Sequence, residues 1–463
     1  MRDETGGATI PLNYSEHGYL SLEGLMGCTM QPYLIRLDTP VPAEQVRAVV
    51  RELLSAFPRL RAVVEPGWHM HRLRVLPDGD IVDQLFDIAW RVDAHLDAAD
   101  RDAMEAEQNL LVNEVVPLER GLLCRFRYVP HARTPVLFMS VHHVLADGRT
   151  MFRLLTEIMH RLNGGPPMTE QPLDAPPLLD AVRPAHWWQW PRQMWRSRRH
   201  SQALARQLQP LHIQRVGTPW RSLASAHCVK HHILPLRASE LRTAARQLGV
   251  SVNVLITVML AETFLARAPQ DPAAAAVIRT AIDLRRFYAP EVAARPLWGN
   301  HVATFLIVET GRKTLKERAA SIKAQQDAAV RRFEQRESFW LYVFYELTPL
   351  LGRTLVTRIL RNARARADMP QSCHATNVGN AASVMPPDAR IRMIELVPAV
   401  ANLDHLQVVV ELDDRIYMPV MWERAEASRE DIMAHLQALD ATCLRIVREL
   451  GMGSEPEAQA RRA

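Results

Sequence analysis

The sequence predicts a two-lobe α/β protein, and three observations carry that prediction. The chain has 463 residues, more than one compact core usually holds. Apolar runs with strand character alternate with stretches of helical periodicity. Between Gly164 and Pro177 the periodicity disappears and proline is dense (Pro166, Pro167, Pro172, Pro176, Pro177), which marks a linker between two halves. A hydrophobic content of 48% excludes disorder as the general state.

The elements follow in order. Residues Gln31 to Asp38 alternate like a strand. Pro42 and Ala43 open a helix with Val46, Val49, Val50, Leu53, Leu54 and Phe57 at helical spacing. The run from Pro58 to Val64 reads as extended. Val136 to Val141 is an apolar run that predicts a buried strand. The segment Arg149 to Leu162 then places Met151, Leu154, Leu155, Ile158, Met159 and Leu162 on one helical stripe. In the second half, Ser239-Glu240-Leu241-Arg242 starts a helix that Gly249 ends, and Ser251 caps the next one, from Val252 to Glu262. Val277–Ile282 and Val302–Val308 read as strands. The expected boundaries are 1–180 for the N-terminal lobe, 181–215 for a Trp/Arg-rich linker or strap, and 216–463 for the C-terminal lobe. The first 25 residues and the tail from Gly453 are expected to be unstructured.

Between the apolar strand and the striped helix lies Val141-His142-His143-Val144-Leu145-Ala146-Asp147-Gly148, which reads H-H-x-x-x-D-G. A tight turn there can hold an imidazole still and point it into a cleft. The bland alternative is a pair of core-edge histidines followed by an Asp that caps a helix. A second pair, in Lys230-His231-His232-Ile233, has no Asp-Gly behind it. It reads as structural, with one of its two histidines facing solvent.

The H-H-x-x-x-D-G segment resembles the signature of the acyltransferase superfamily that includes chloramphenicol acetyltransferases, peptide-synthetase condensation domains, wax-ester synthases and alcohol acyltransferases. Weaker elements follow in the same order. Phe57-Pro58-Arg59-Leu60-Arg61 is similar to an "H-P-x-L-R" region, with Phe57 in place of the His. Pro117-Leu118-Glu119-Arg120-Gly121-Leu122-Leu123 resembles a "P-F-D-L…G-P-L" approach to the catalytic strand, without its second Pro. Asp283-Leu284-Arg285 is similar to a "D-L-R" segment, Gly299-Asn300 to a "G-N" element, and Thr376-Asn377-Val378-Gly379 to "S-N-x-G". The resemblance spans about residues 30 to 445.

The resemblance implies a chloramphenicol-acetyltransferase-like fold with an active-site tunnel between the lobes. It implies acyl transfer from a CoA or carrier-protein thioester to a hydroxyl or amine, in secondary-metabolite or lipid biosynthesis. His143 would be the general base, and His142 its supporting neighbour. Asp147 would form a structural ion pair with Arg285, although Arg286 is an equal candidate by sequence. Gly148 would leave room for the pantetheine arm or let the backbone turn tightly. Asn300 and Asn377 would line the site, or serve as plain turn amides. Acyl-CoA or a phosphopantetheinyl acyl carrier would be a co-substrate, with no permanently bound cofactor and no metal.

Other chemistries fit less well. His142 to Asp147 also matches the H-x-x-x-x-D of glycerolipid acyltransferases, but the F-P-E-G segment that accompanies it is absent. The chain has no G-x-S-x-G, no Walker loop and no G-x-G-x-x-G. Its five cysteines are scattered and never at metal-ligand spacing, which points to a reducing compartment. The N-terminus shows no apolar signal core, and no run of 18 uncharged apolar residues occurs. A cytoplasmic monomer is expected, with peripheral contact at the inner membrane face as a further option.

The net charge of +5 is concentrated locally. Trp187, Trp188, Trp190 and Trp195 stand beside Arg192, Arg196, Arg198 and Arg199. A second basic run (Arg353, Arg358, Arg361, Arg364, Arg366) follows the aromatic stretch Phe339 to Tyr345. Tryptophan beside arginine suits a helix in a lipid headgroup layer, or a linker helix whose rings pack inward. No nucleic-acid-binding pattern accompanies the charge. Two further functional readings remain. One is a non-catalytic condensation-like domain that recruits partners. The other is a peripheral membrane protein that binds lipid.

Overall fold

The computed structural model describes residues 7–23, 29–67, 70–173, 176–218, 226–365, 371–401 and 405–451. Cys28, Arg366 and the tail from Gly453 lie outside them.

The apolar run Val136 to His142 forms the central strand of a five-stranded sheet. Its seven residues are all buried, as a strand covered on both faces requires. It pairs antiparallel with Met30–Leu37 on one side and Cys124–Val129 on the other. Trp90–Val92 completes one edge, and Met393–Pro398 the other. The last of these comes from the far end of the chain and pairs with Met30–Leu37. Asp147 caps the helix Gly148–Leu162, whose stripe Met151, Leu154, Leu155, Ile158, Met159 and Leu162 is buried.

The second lobe is built on a nine-stranded sheet. Its path runs Ile233–Arg237, Arg415–Tyr417, Leu406–Leu412, Cys373–Asn380, Ala274–Asp283, Val302–Thr310. The register that pairs Ala275 with Thr310 ends with Asp283 opposite Val302. That brings Arg285 beside the Gly299-Asn300 turn. Ser251 caps the helix Val252–Leu265, which is buried on all faces and packs at the centre of this lobe's core. The protein therefore has the two-lobed α/β architecture that the sequence predicts.

Four local readings need correction. Met30–Leu37 alternates in sequence yet is buried along its whole length. Its polar side chains find partners inside: Gln31 Nε2 donates to the Ala146 carbonyl (2.8 Å) and Arg36 Nε to Glu395 Oε2 (2.6 Å). Pro58–Arg61 is one turn of 3-10 helix rather than extended chain. Arg61 Nη1 there donates to the Leu54 and Ser55 carbonyls (2.9 and 2.6 Å), tying up carbonyls that the end of helix Ala43–Ala56 leaves open. Neither His231 nor His232 is a freely exposed side chain; both are partly buried. They lie between the strands His227–Lys230 and Ile233–Arg237, where Gln108 and Asp440 engage them at 2.5 and 2.9 Å.

The fourth correction bears on function. The N-terminal segment is ordered: Thr9–Pro11 pairs with Arg72–Val75, and Tyr14–Leu22 is a helix with a complete capping box from Asn13 and Glu16. The spacing Asn13-x-x-Glu16 is the signature of such a box. Burial of Leu20 and of the site contacts described next holds this helix against the body.

Candidate acyl-transfer site

The central strand ends at His142, and the chain turns at His143. His142 points into the first lobe and is fully buried. Its Nδ1 accepts from the Val144 N–H (3.1 Å), which places the ring proton on Nε2. Thr29 Oγ1 (2.9 Å) and Glu23 Oε2 (3.0 Å) meet that Nε2. His142 is thus locked in one tautomer.

His143 faces the junction of the lobes and is partly exposed. Its N–H donates to the Thr29 carbonyl (2.9 Å). Its Nδ1 lies 2.9 Å from the Asn300 amide nitrogen, and the carbonyls of His143 and Ala146 lie near the ring. Nε2 has no hydrogen-bond partner among the described residues. The Tyr19 ring stacks on the imidazole, with centroids 4.0 Å apart and planes 14° from parallel. Stacking fixes the ring plane but leaves the in-plane Nε2 lone pair uncovered. Burial lowers the His143 pKa to about 4, against the opposing pull of its backbone contacts and Asp147, so the ring is neutral at pH 7.

Asp147 points away from His143 and is fully buried. Arg285 grips it with two donors, Nη1 at 2.7 Å and Nη2 at 3.2 Å. The N–H groups of Thr150 (2.8 Å) and His301 (2.9 Å) complete its shell. Burial alone would raise its pKa, but the Arg285 charge outweighs burial and holds the carboxyl well below the usual range. Arg285 is 8% exposed and also donates to the Leu297 and Gly299 carbonyls and to Thr150 Oγ1. Arg286, the equal candidate by sequence, is exposed and lies over the Phe287 ring. One bidentate pair therefore ties the motif turn of the first lobe to the second.

Asn300 is buried and joins three elements. Its side chain meets His143 and the Tyr19 hydroxyl, and its carbonyl accepts from Asn13 Nδ2 (2.9 Å). Gly299 before it has φ +101°, and a Cβ there would lie 2.7 Å from Glu16 Oε1. Only glycine fits that conformation and that space. Asn377 behaves differently: it is exposed, and its hydrogen bonds go to Asn253 and to the Gly379 N–H. Gly148 does not take a left-handed turn, since it lies in the first turn of its helix. A Cβ on it would lie 3.0 Å from Val378 of the second lobe.

Several site residues escaped sequence reasoning. Tyr19 and Glu23 come from the N-terminal helix, and Thr29 follows it. Glu16, also on that helix, is buried in an ion pair with Arg59. Arg59 in turn donates to the Val144 and Leu145 carbonyls (both 3.2 Å), bracing the motif turn from behind. The Asn13–Glu16 capping-box spacing was the one available signal for this helix.

The fold is the two-lobed fold of condensation domains and related acyltransferases. Among solved structures, the chain is similar to the TRI3 trichothecene 15-O-acetyltransferase from Fusarium sporotrichioides, at TM-score 0.69 and 10% identity over 95% of both chains. It is similar to the first condensation domain of the calcium-dependent antibiotic synthetase, at TM-score 0.67 and 13% identity over 96% of both. The polyketide synthase associated protein 5 from Mycobacterium tuberculosis matches at TM-score 0.59 and 16% identity, over 94% of this chain and 98% of that one. No protein-family model matches the sequence, and no curated protein does.

Proposed function

We propose that the protein transfers an acyl group from a thioester of CoA or of a phosphopantetheinyl carrier to a hydroxyl or amine, with His143 as general base. The observation that carries this reading is the setting of His143. Its ring is neutral at pH 7, its plane is fixed by Tyr19, and Asn300 meets its Nδ1. In the tautomer that carries the proton on Nδ1, toward the backbone carbonyls of His143 and Ala146, Nε2 is the basic nitrogen and has its lone pair available. The fold shared with an acetyltransferase and condensation domains supports the same class of chemistry.

The step is balanced as follows. Nε2 takes the proton of the acceptor O–H or N–H as that atom bonds to the thioester carbonyl carbon. The tetrahedral intermediate collapses, the C–S bond breaks, and Nε2–H returns the proton to the leaving thiolate. His142 steadies the turn, and Asp147 with Arg285 braces it without touching the reacting atoms. Donor and acceptor would enter the junction of the lobes from opposite sides, with Gly148 against Val378 where the lobes approach closely.

The test incubates the purified protein with mixed acyl-CoA thioesters, or with an acylated carrier protein, and a panel of alcohols and amines. Intact-mass spectrometry then follows thioester loss and product gain. Thioester loss matched by acylated acceptor, with no acyl adduct on the protein, is expected. An acyl adduct on the protein would replace the base mechanism with a covalent one. No transfer from either thioester class would favour the partner-recruiting reading.

A further inference from the structure

We propose that a second surface, formed by the helices Trp190–Leu208, Phe339–Leu347 and Arg353–Ala365, docks the protein on the headgroup layer of an anionic lipid bilayer. The inference does not rest on the chemistry at His143. It starts from indole rings that point outward. Trp187, Trp188 and Trp195 are 73, 60 and 59% exposed. Of the 19 residues of helix Trp190–Leu208, only Ser197 is buried, so this helix is not a strap that packs its rings inward.

The patch extends to the neighbouring helix. Trp190 packs on Phe339 at 5.1 Å between centroids, and Arg196 pairs with Glu337 at 2.9 Å. Beyond Phe339 the chain exposes Phe344, Leu347, Leu350 and Leu351, each more than half accessible, and then Leu355 and Ile359 on the next helix. Exposed apolar area on this scale marks a binding face rather than ordinary surface.

Charge selects the occupant. Helix Trp190–Leu208 contains no Asp or Glu, and neither does Arg353–Ala365. Arg192, Arg198, Arg199, Arg358 and Arg361 are exposed beside the apolar side chains, and Arg199 lies over the Trp195 ring at 5.1 Å. A second copy of this chain meeting the same face would set arginine against arginine, because a two-fold interface is self-complementary. An acidic protein would answer the charges but would offer no apolar phase for the Leu347, Leu350 and Leu351 tips. An anionic bilayer supplies both: phosphates for the arginines, an interfacial layer for indole, and acyl chains for leucine. No single helix among the described residues is long and apolar enough to cross the membrane, so the contact is a surface one.

The test is co-sedimentation of the full chain with vesicles of phosphatidylcholine containing about a third phosphatidylglycerol, against phosphatidylcholine alone. Binding to the anionic vesicles only, a blue shift of tryptophan emission on binding, and release in high salt are expected. The triple variant R192E/R198E/R199E should weaken partitioning by roughly 100-fold or more. The variants W187A/W188A and L350D/L351D should weaken it as well. All of these side chains are exposed, so melting temperatures should stay at the wild-type value. The wild-type emission shift reads the contact independently of any variant. No sedimentation with anionic vesicles, or equal binding to neutral ones, overturns the proposal. So does a dimer that L350D/L351D dissolves, or capture of an acidic carrier protein through the same arginines, if vesicles are not bound.

Discussion

Removing the Asp147 charge is the sharpest probe of how the site is built. Asn replaces Asp with the same shape and leaves Arg285 8% exposed without its main counter-ion. Asp147 accepts four hydrogen bonds, two of them from Arg285 at 2.7 and 3.2 Å. Stranding one partner of a buried pair costs about 3–5 kcal/mol. Asp283, 3.2 Å from Arg285 Nη1 and partly exposed, offsets part of this, which places Asp147→Asn near the lower end. Asp147→Ala also removes the helix cap, which contributes about 1 kcal/mol more. A fall in Tm of about 3 °C is expected for Asp147→Asn. The decisive assay is the double-mutant cycle with Arg285→Ala. If the two groups act as a pair, the double variant loses much less than the sum of the singles, with coupling of about 2–3 kcal/mol. Additive losses, or an Asp147→Asn protein with wild-type Tm, would refute the bracing role.

Three further outcomes follow from the same geometry. Asn300→Ala frees the His143 ring on its Nδ1 side and should lower kcat about 10–100-fold with a smaller change in KM; steady-state kinetics would show it, and an unchanged kcat would remove Asn300 from the positioning set. Gly299→Ala places a Cβ 2.7 Å from Glu16 Oε1 at φ +101° and should cost about 2–4 kcal/mol, read as a lowered Tm; wild-type stability would contradict the close approach. Burial lowers the pKa of His17, His143, His231 and His301 to about 4. The unfolded chain therefore binds more protons between about pH 6.5 and 4, and stability falls as the pH is lowered through that window. Each of these histidines must take up its proton against burial, so each weakens the fold as the pH falls toward 4. Tm measured against pH should fall steeply below 6.5; a flat profile down to pH 4 would contradict the buried neutral state.

Much of the core and of the motif turn could be read from the residues. Val136–His142 stands out as a continuous apolar run because the strand is buried on both faces, and the stripe on Gly148–Leu162 is periodic because that helix buries one face. The motif spacing made Asp147 and Arg285 candidates, yet sequence could not choose between Arg285 and Arg286. Only the register of Asp283 against Val302 decides which guanidinium turns inward. The N-terminal helix was lost because its apolar pattern is short and interrupted. Its order comes from tertiary contacts to Asn300, Arg59 and His143, which no local period reports. The partners of His231 and His232 are equally distant in sequence: Gln108 and Asp440 lie 123 and 208 residues away.

The central claim is that His143 takes the proton of the acceptor. The most direct measurement is kcat/KM for thioester-dependent acyl transfer in the wild type, His143→Ala and His142→Ala, each checked for unchanged Tm. The predicted result is a loss of roughly 10²–10⁴-fold for His143→Ala and a smaller loss for His142→Ala. A folded His143→Ala protein that transfers the acyl group at the wild-type rate would contradict the account.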